Sequence, residues 1–404
     1  MKNLLIINFF HSSKDCVGAI RTQRFAQYLP SFGWKPYVLT KLPSAKNSSQ
    51  TFTETNNTFY APTFPLNKPF HLESLIWLPF MIRKAISIVK RNQIAVVLIS
   101  CPPFYQAMAG IILKKRFGVK LVIDYRDAWG LNPYRERLSS IRRFILQGDK
   151  LLEHYLLRNT DLLIVSHQEM KERYLRHFKF LQGKIGVVYN GFDPEKIGSL
   201  QETLSSEFTI LHLGNFYSKQ KARDPNLFLT ALQKLISEKK IQIGQLRVLF
   251  IGERYCEVEE MIVNKGLLAY VSYLDRVPHE VAMEYLNKSH VLLLIETLDV
   301  MTTKVYEYLA TGKPMLCLIK QGGELEAFIQ KFSTNAFILP NDVEQVKEAI
   351  WANFKIYQAS NYRFTVNDQF RKHFTRVEQT RHLADYLDRL GFSGLPNLFN
   401  EVKG

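Results

Sequence analysis

The sequence predicts an α/β protein built as two doubly wound parallel sheets, and three observations predict it. Short apolar runs alternate with segments of helical periodicity along most of the chain. The runs are continuous, not period-two, as strands buried on both faces must be. The rhythm breaks at the turn-prone Asn190-Gly191-Phe192-Asp193, followed by Pro194, and then resumes. A chain of 404 residues allows two or three domains at about 150 residues each. With 46% apolar and 22% charged residues it has the composition of a globular protein with a real core.

The elements follow in order. Lys2–Phe10 reads as the first strand; it has the look of a signal peptide but lacks a small-residue cleavage site and runs into the polar loop His11–Val17. From Gly18 the chain turns helical, with Phe25, Tyr28, Leu29 and Phe32 at helical spacing and Pro30 and Gly33 at the end. Lys35–Thr40 is the next strand. Ile94–Ser100 is a buried strand stopped by Pro102-Pro103, Gln106–Phe117 a helix closed by Gly118, and Val119–Asp124, Leu162–Ser166 and Lys184–Tyr189 are further strands. The second half repeats the rhythm: strand Phe208–Leu213, helix Asn226–Glu238, then strands Arg247–Ile251, Ala269–Leu274 and His290–Ile295. Thr303–Thr311 reads as a helix stopped by Gly312 and Pro314, Met315–Ile319 as a strand, and Asp342 to Leu390 as mainly helical. Such alternation gives parallel sheets with helical crossovers. Ligands of these sheets sit at the carboxyl ends of the strands. Two sheets facing across a cleft would carry one ligand site on each wall, although architecture alone does not name a reaction.

Charge is lopsided. Of the net +16, residues 1–190 contribute 28 Lys+Arg against 11 Asp+Glu, and residues 191–404 contribute 25 against 26. The basic half is expected to face something anionic: phospholipid, a lipid phosphate or nucleic acid. The four cysteines, Cys16, Cys101, Cys256 and Cys317, form no C-x-x-C pair and read as reduced, mostly buried thiols. The longest apolar candidate for a membrane span, Leu75–Ile82, falls far short of the ~20 residues a span needs.

In the second half, seven residues separate Asp299 from Glu307, which lies early in the helix that starts near Thr302 or Thr303. Amide groups at a helix start bind phosphate, and Lys304 in that first turn makes sense beside an anion, since an isolated helix disfavours a cation there. A carboxylate within reach can accept hydrogen bonds from ribose hydroxyls.

The segment Asp299–Pro314, DVMTTKVYEYLATGKP, resembles the acidic-x7-acidic segment of the family 4 glycosyltransferases, which have the GT-B fold of two Rossmann-like domains. Further blocks fall in the family's order: Phe10–Leu29, Ser100–Pro103, Val122–Trp129 (VIDYRDAW), Val187–Asp193 (VVYNGFD) and Leu211–Phe216 (LHLGNF). The first-half blocks Ser100–Pro103 and Val122–Trp129 resemble a subgroup that builds bacterial surface polysaccharides.

The resemblance implies an acceptor-side domain over residues 1–195, with a C-terminal helix at 376–404 returning to it, and a donor-binding domain over 205–375. It implies that Glu307 holds the donor ribose, that Asp299, shorter than the usual Glu, contacts the transferred sugar, and that Thr302, Thr303 and Lys304 meet the sugar and diphosphate. Gly214 and Asn215 open the second domain's loop. The family's diphosphate-clamping Arg position is Asn215 here, and Arg223 best fits the Lys position, with Lys219 and Lys221 as alternatives. In the first half Gly18 matches the glycine near the donor phosphates, where a missing Cβ lets backbone approach closely; a simple helix-start glycine is the competing reading. Arg21 lies one turn on. Asp124, Arg126 and Asp127 follow a buried strand, and Asp127 is expected as the polar substitute for the His of many relatives, acting as base toward the acceptor hydroxyl; a structural Asp–Arg pair is the competing reading.

The implied reaction is sugar transfer with retention, from a nucleotide diphosphate sugar, a UDP-sugar, to a lipid-linked or saccharide acceptor. Preorganised amides and cations would stabilise the departing diphosphate. No cofactor is expected. No D-x-D motif occurs, and His279-Glu280 lacks the second His of H-E-x-x-H, so it reads as a loop pair with no metal role. Residues 64–91 and 131–150 juxtapose Phe70, Leu72, Leu75, Ile76, Trp77, Leu78, Phe80 and Met81 with Arg83, Lys84, Lys90 and Arg91, and Arg135, Arg137, Arg142 and Arg143 with Phe144, Ile145 and Leu146. This pattern fits peripheral binding at the inner face of the cell membrane, at about 1 kcal/mol per basic residue; core packing is the alternative. Two other functions compete: a non-hydrolysing nucleotide-sugar epimerase, and a nucleic-acid-binding protein, which charge alone favours and for which no binding motif appears.

Overall fold

The apolar runs of the first half become the strands of one parallel sheet. The computed structural model describes residues 1–12, 17–43, 57–64, 70–132, 140–197, 204–216, 223–360 and 364–391. These fall into two units, Met1–Asn190 with the chain from Arg376 onward, and Gly191–Thr375.

The first unit runs β1 (Lys2–Ile7), α1 (Val17–Tyr28), β2 (Trp34–Lys41), β3 (Thr58–Ala61), α2 (Phe70–Asn92), β4 (Val96–Cys101), α3 (Met108–Phe117), β5 (Lys120–Tyr125), α4 (Ser140–Asn159), β6 (Leu162–Val165), α5 (Gln168–His177) and β7 (Ile185–Val187). The strand order is β3-β2-β1-β4-β5-β6-β7. β1 pairs on one side with β2 (Ile6 with Val38) and on the other with β4 (Ile6 with Leu98), so the order reverses between β1 and β4. Alternate residues serve opposite faces, as the pleat requires. Leu5 and Ile7 pack with Trp77 and Met81 of α2, while Leu4 and Ile6 pack with Phe25 and Leu383.

The first strand is shorter than the apolar run because Asn8 ends it. Its Oδ1 accepts from the Phe10 amide at 2.7 Å, and its Nδ2 donates to the Gly18 carbonyl at 3.0 Å and Thr22 Oγ1 at 2.8 Å. A side chain that satisfies local backbone in this way favours a turn over further ladder.

The stretch read as membrane-facing contains α2, and its largest side chain is core. Trp77 is wholly buried and donates Nε1–H to the Ala61 carbonyl at 3.1 Å, docking α2 on β3; Met81 is buried beside it. Leu75 and Phe80 are exposed, as is Phe64. Arg135 and Arg137, and the side chains of Phe70, Leu72, Arg142, Arg143, Phe144, Ile145 and Leu146, lie outside the described residues. Cys101 and Cys317 are buried thiols and Cys256 is exposed; Cys16 lies outside the described residues.

The second unit runs β8 (Phe208–Leu213), α6 (Asn226–Ser237), β9 (Leu246–Ile251), α7 (Cys256–Asn264), β10 (Val271–Leu274), α8 (His279–Lys288), β11 (Val291–Glu296), α9 (Lys304–Thr311), β12 (Met315–Ile319), α10 (Glu324–Phe332), β13 (Ala336–Ile338), α11 (Val343–Gln358) and α12 (Asp368–His373). Its sheet, β10-β9-β8-β11-β12-β13, is again parallel and reverses between β8 and β11. The C-terminal end of α8 is tied to the end of α9 by Lys313, whose Nζ donates to the carbonyls of Leu286 and Asn287, both at 2.7 Å, and of Ser289. Those carbonyls would otherwise be orphaned at the helix end. The chain then returns to the first unit as α13 (Arg376–Asp388). Tyr386 of α13 fills the space over Gly186, where a Cβ would come within 2.6 Å of its ring, and its hydroxyl accepts from the Val187 amide.

Candidate functional site

The reversal point of the second sheet gathers most of the residues singled out from sequence. β8 ends at Leu213, and Gly214 follows with φ +115°, a conformation that favours glycine. Gly252 lies against this turn so closely that a Cβ there would stand 2.5 Å from the Gly214 carbonyl oxygen. Over Gly214 reaches Lys304, whose Nζ donates to the Leu213 carbonyl at 2.8 Å and lies 3.5 Å from His212 Nε2.

His212 is wholly buried and stacks on Phe216 with centroids 4.5 Å apart. Its Nδ1 faces the Leu293 carbonyl at 3.0 Å. That oxygen only accepts, so Nδ1 carries the proton and the Nε2 lone pair faces the lysine. Burial, reinforced by the charge on Lys304, holds the imidazole well below its ordinary pKa and hence neutral.

β11 ends at the buried Glu296. Its Oε2 accepts from Arg223 Nε at 2.7 Å, and Oε1 accepts from the Leu298 amide at 3.3 Å. Loss of hydration and then the neighbouring Arg223 push the Lys304 ammonium well below its usual pKa, and Glu296 pulls the other way. Arg223 thus pairs with one carboxylate at the carboxyl edge of the sheet, and Lys304 lies within electrostatic reach of both. An anion added there would relieve the repulsion between the two basic side chains.

The amino end of α9 completes the cluster. Thr302 and Thr303 precede it, and their carbonyls accept from the Val305 and Tyr306 amides at 3.3 Å each. Thr302 Oγ1 is buried without a hydrogen-bond partner among the described residues. Glu307, nearly buried, takes a 2.8 Å contact from His279 Nε2 at the start of α8. His279, read from sequence as half of a loop pair, therefore belongs to the site.

Asp299 and Arg21 have partners that spacing cannot show. Asp299 caps α10: its Oδ2 accepts from the Glu324 amide at 3.1 Å and its Oδ1 from the Leu325 amide at 3.3 Å. Gly323 leaves it room, since a Cβ there would come within 2.4 Å of Asp299 Oδ1. A carboxylate turned onto helix amides is favoured by the helix dipole. Arg21 is likewise engaged inside the first unit. Its Nη2 donates to Asp124 Oδ1 at 2.8 Å, its Nε reaches Oδ2 at 3.1 Å, and its Nη1 donates to the Tyr189 carbonyl at 2.9 Å. Ser100 Oγ donates to Asp124 Oδ2 at 2.9 Å, and both charged residues are buried. This buried ion pair links α1, β4, β5 and the end of the first unit.

Asn215, at the family's Arg position, exchanges hydrogen bonds with Glu253: Nδ2 donates to Oε2 at 3.2 Å, and Oδ1 accepts from the Glu253 amide at 3.0 Å. Lys219 and Lys221 lie outside the described residues. The Cβ that Gly18 lacks would fall 2.2 Å from Arg126 Nη1, so the glycine makes room for a guanidinium. Arg126 also donates to the Pro102 carbonyl. Asp127 is exposed beyond the carboxyl end of β5. Sequence reasoning passed over Glu296, His212 and His279. Of these only His212 left a signal, an imidazole within an otherwise apolar strand. Among the described residues no three His, Cys, Asp or Glu side chains are grouped to hold a metal, and no helix is long and apolar enough to cross a membrane.

Comparison with known proteins follows the same division. No curated protein matches the chain by sequence. Among solved structures, sucrose-phosphate synthase from Thermosynechococcus elongatus superposes with a TM-score of 0.70 at 15% identity, covering 96% of this chain and 99% of that one. WaaG, a glycosyltransferase involved in lipopolysaccharide biosynthesis, gives 0.62 at 12% identity, covering 95% of each chain. UDP-GlcNAc 2-epimerase from Methanocaldococcus jannaschii gives 0.57 at 12% identity, covering 96% of this chain and 100% of that one. At such identities the likeness is one of fold. The family models decide further: Glycosyltransferase Family 4 matches residues 18–196 and Glycosyl transferases group 1 matches residues 207–353. The chain therefore belongs to the family 4 glycosyltransferases, with the two Rossmann-like domains of the GT-B fold.

Proposed function

We propose that this glycosyltransferase is a metal-independent, retaining hexosyltransferase that moves a sugar from a UDP-sugar to a lipid-linked or saccharide acceptor in bacterial surface polysaccharide biosynthesis. The observation that carries the donor half is the placement of Lys304 and Arg223 near Glu296 beside the first turn of α9. A diphosphate leaving group gains negative charge as the glycosidic bond breaks. Fixed cations and helix amides stabilise that charge more in the transition state than in the ground state. Glu307 would take the ribose hydroxyls and Thr302 and Thr303 the diphosphate and sugar. Asn215 and Gly214 would shape the turn beneath them, and Gly18 would let backbone approach the donor phosphates. In the first unit Asp127, exposed at the carboxyl edge of the sheet, would act as base toward the acceptor hydroxyl. Retention rests on the family's pattern, and the pathway on likeness to WaaG.

The enzyme would work bound peripherally at an anionic membrane surface. Phe64 and Phe80, both exposed, stack edge to face at 6.0 Å, with Leu75 and the exposed Arg83 on the same helix as Phe80. Leu151 and Tyr155, one turn apart on α4, are 76% and 48% exposed, and the exposed Lys150 adjoins them. Apolar anchors with basic neighbours suit an anionic leaflet.

The test is a thermal-shift screen of UDP-, GDP- and ADP-sugars on the wild type and on Glu307→Ala. A UDP-sugar at a hundred times its Kd is expected to stabilise the wild type by about 2.7 kcal/mol and the variant far less. Equal stabilisation of the two would remove Glu307 from the site. Conversion of the UDP-sugar to an epimer without acceptor would replace transfer by epimerisation.

A further inference from the structure

We infer that His279 is a positioning residue for the Glu307 carboxylate and thereby sets the enzyme's preference for a ribonucleotide donor; this rests on the donor reading of Glu307 above. His279 opens α8, 28 residues before Glu307, yet its Nε2 stands 2.8 Å from Glu307 Oε1. On the other side of the ring, Lys196 Nζ lies 3.4 Å from Nδ1. An ammonium only donates, so it requires the Nδ1 lone pair. The proton then sits on Nε2, and the imidazole donates it to the carboxylate. The exposed Glu280 carboxylate lies 3.8 Å from Lys196 Nζ. A line of donors, Lys196 to His279 to Glu307, thus fixes the tautomer and with it the plane of the carboxylate.

The supports of this line are rigid. Lys313 ties the end of α9 to the carbonyls that close α8, so the two helices carrying His279 and Glu307 are joined at their far ends. A glutamate side chain has three rotatable torsions, and holding one oxygen removes most of that freedom before any ligand arrives. A carboxylate set in advance accepts from sugar hydroxyls at lower entropic cost than a mobile one. The geometry therefore assigns His279 a part in recognition that the absence of a second histidine had concealed.

The experiment measures binding of UDP and of 2′,3′-dideoxy-UDP by calorimetry. The variants are His279→Ala, His279→Leu, His279→Gln and Glu307→Ala. The wild type is expected to prefer UDP by roughly ten- to a hundredfold, the range for hydroxyls bound to a charged acceptor. His279→Ala and His279→Leu should lose most of that preference through weaker UDP binding, with dideoxy-UDP affinity unchanged. His279→Gln, which keeps an N–H donor, should restore it. If Ala at 279 unfolds the chain, the Leu and Gln variants decide. Full preference for UDP in the Leu variant would overturn the positioning role, and so would an equal loss for both ligands, the mark of a purely structural residue. Those results leave the donor reading standing. Retained preference in Glu307→Ala would instead overturn the donor reading itself.

Discussion

Both units place charged side chains at the reversal point of a parallel sheet, but they use charge in opposite ways. In the first unit Arg21 and Asp124 are buried and matched, with Ser100 and the Tyr189 carbonyl taking up the remaining hydrogen bonds. In the second, Lys304 and Arg223 lie near Glu296, both partly buried, and Lys304 is held in a state that burial and its neighbour disfavour. One topology therefore supports two designs. A compensated pair stabilises the fold, whereas cations gathered at a helix start are set for an anion that arrives later.

The sharpest way to break this comparison is to attack the compensated pair. Asp124→Asn leaves the Arg21 guanidinium buried and unmatched, so urea unfolding should show a loss of about 3–5 kcal/mol. UDP affinity at a temperature where the variant is folded should be unchanged. A variant as stable as the wild type would show that the pair is not structural.

Much of this arrangement was legible in sequence, and what was hidden was hidden for one reason. Strands buried on both faces read as unbroken apolar runs, so β8 and β12 match their expected spans residue for residue. The short outer strands β3 and β13 offer too few residues to show a pattern. The turn carrying Thr302, Thr303, Lys304 and Glu307 could be read because helix starts have local chemistry. Pairings could not. Arg21 and Asp124 are 103 residues apart and Asp299 and Glu324 are 25 apart, so nothing local distinguishes a ligand carboxylate from an ion pair or a cap. Glu296, at the end of its strand, looked like an ordinary boundary residue.

A smaller effect sharpens the contrast between the two ends of the second sheet. His290, immediately before β11, lies at the end opposite Glu296, and its Nδ1 accepts from the Thr209 amide at 3.1 Å. Burial, aided by the charge of Lys313, lowers its pKa from 6.5 to about 4. The unfolded chain takes up the proton first as pH falls. The contribution of this histidine is therefore complete above pH 6.5 and is lost progressively between 6.5 and about 4. His290→Asn, which keeps an acceptor for Thr209, should flatten that part of the stability profile and leave UDP binding alone. An unchanged slope would assign the acid sensitivity elsewhere.

On this account the second unit's cations hold a diphosphate. Calorimetric titration of the wild type and Lys304→Met with UDP and with uridine separates phosphate from nucleoside. Loss of one charged hydrogen bond should weaken UDP about 10- to 100-fold, with uridine binding unchanged. Equal affinity of the two proteins for UDP, or an equal loss for UDP and uridine, would contradict it.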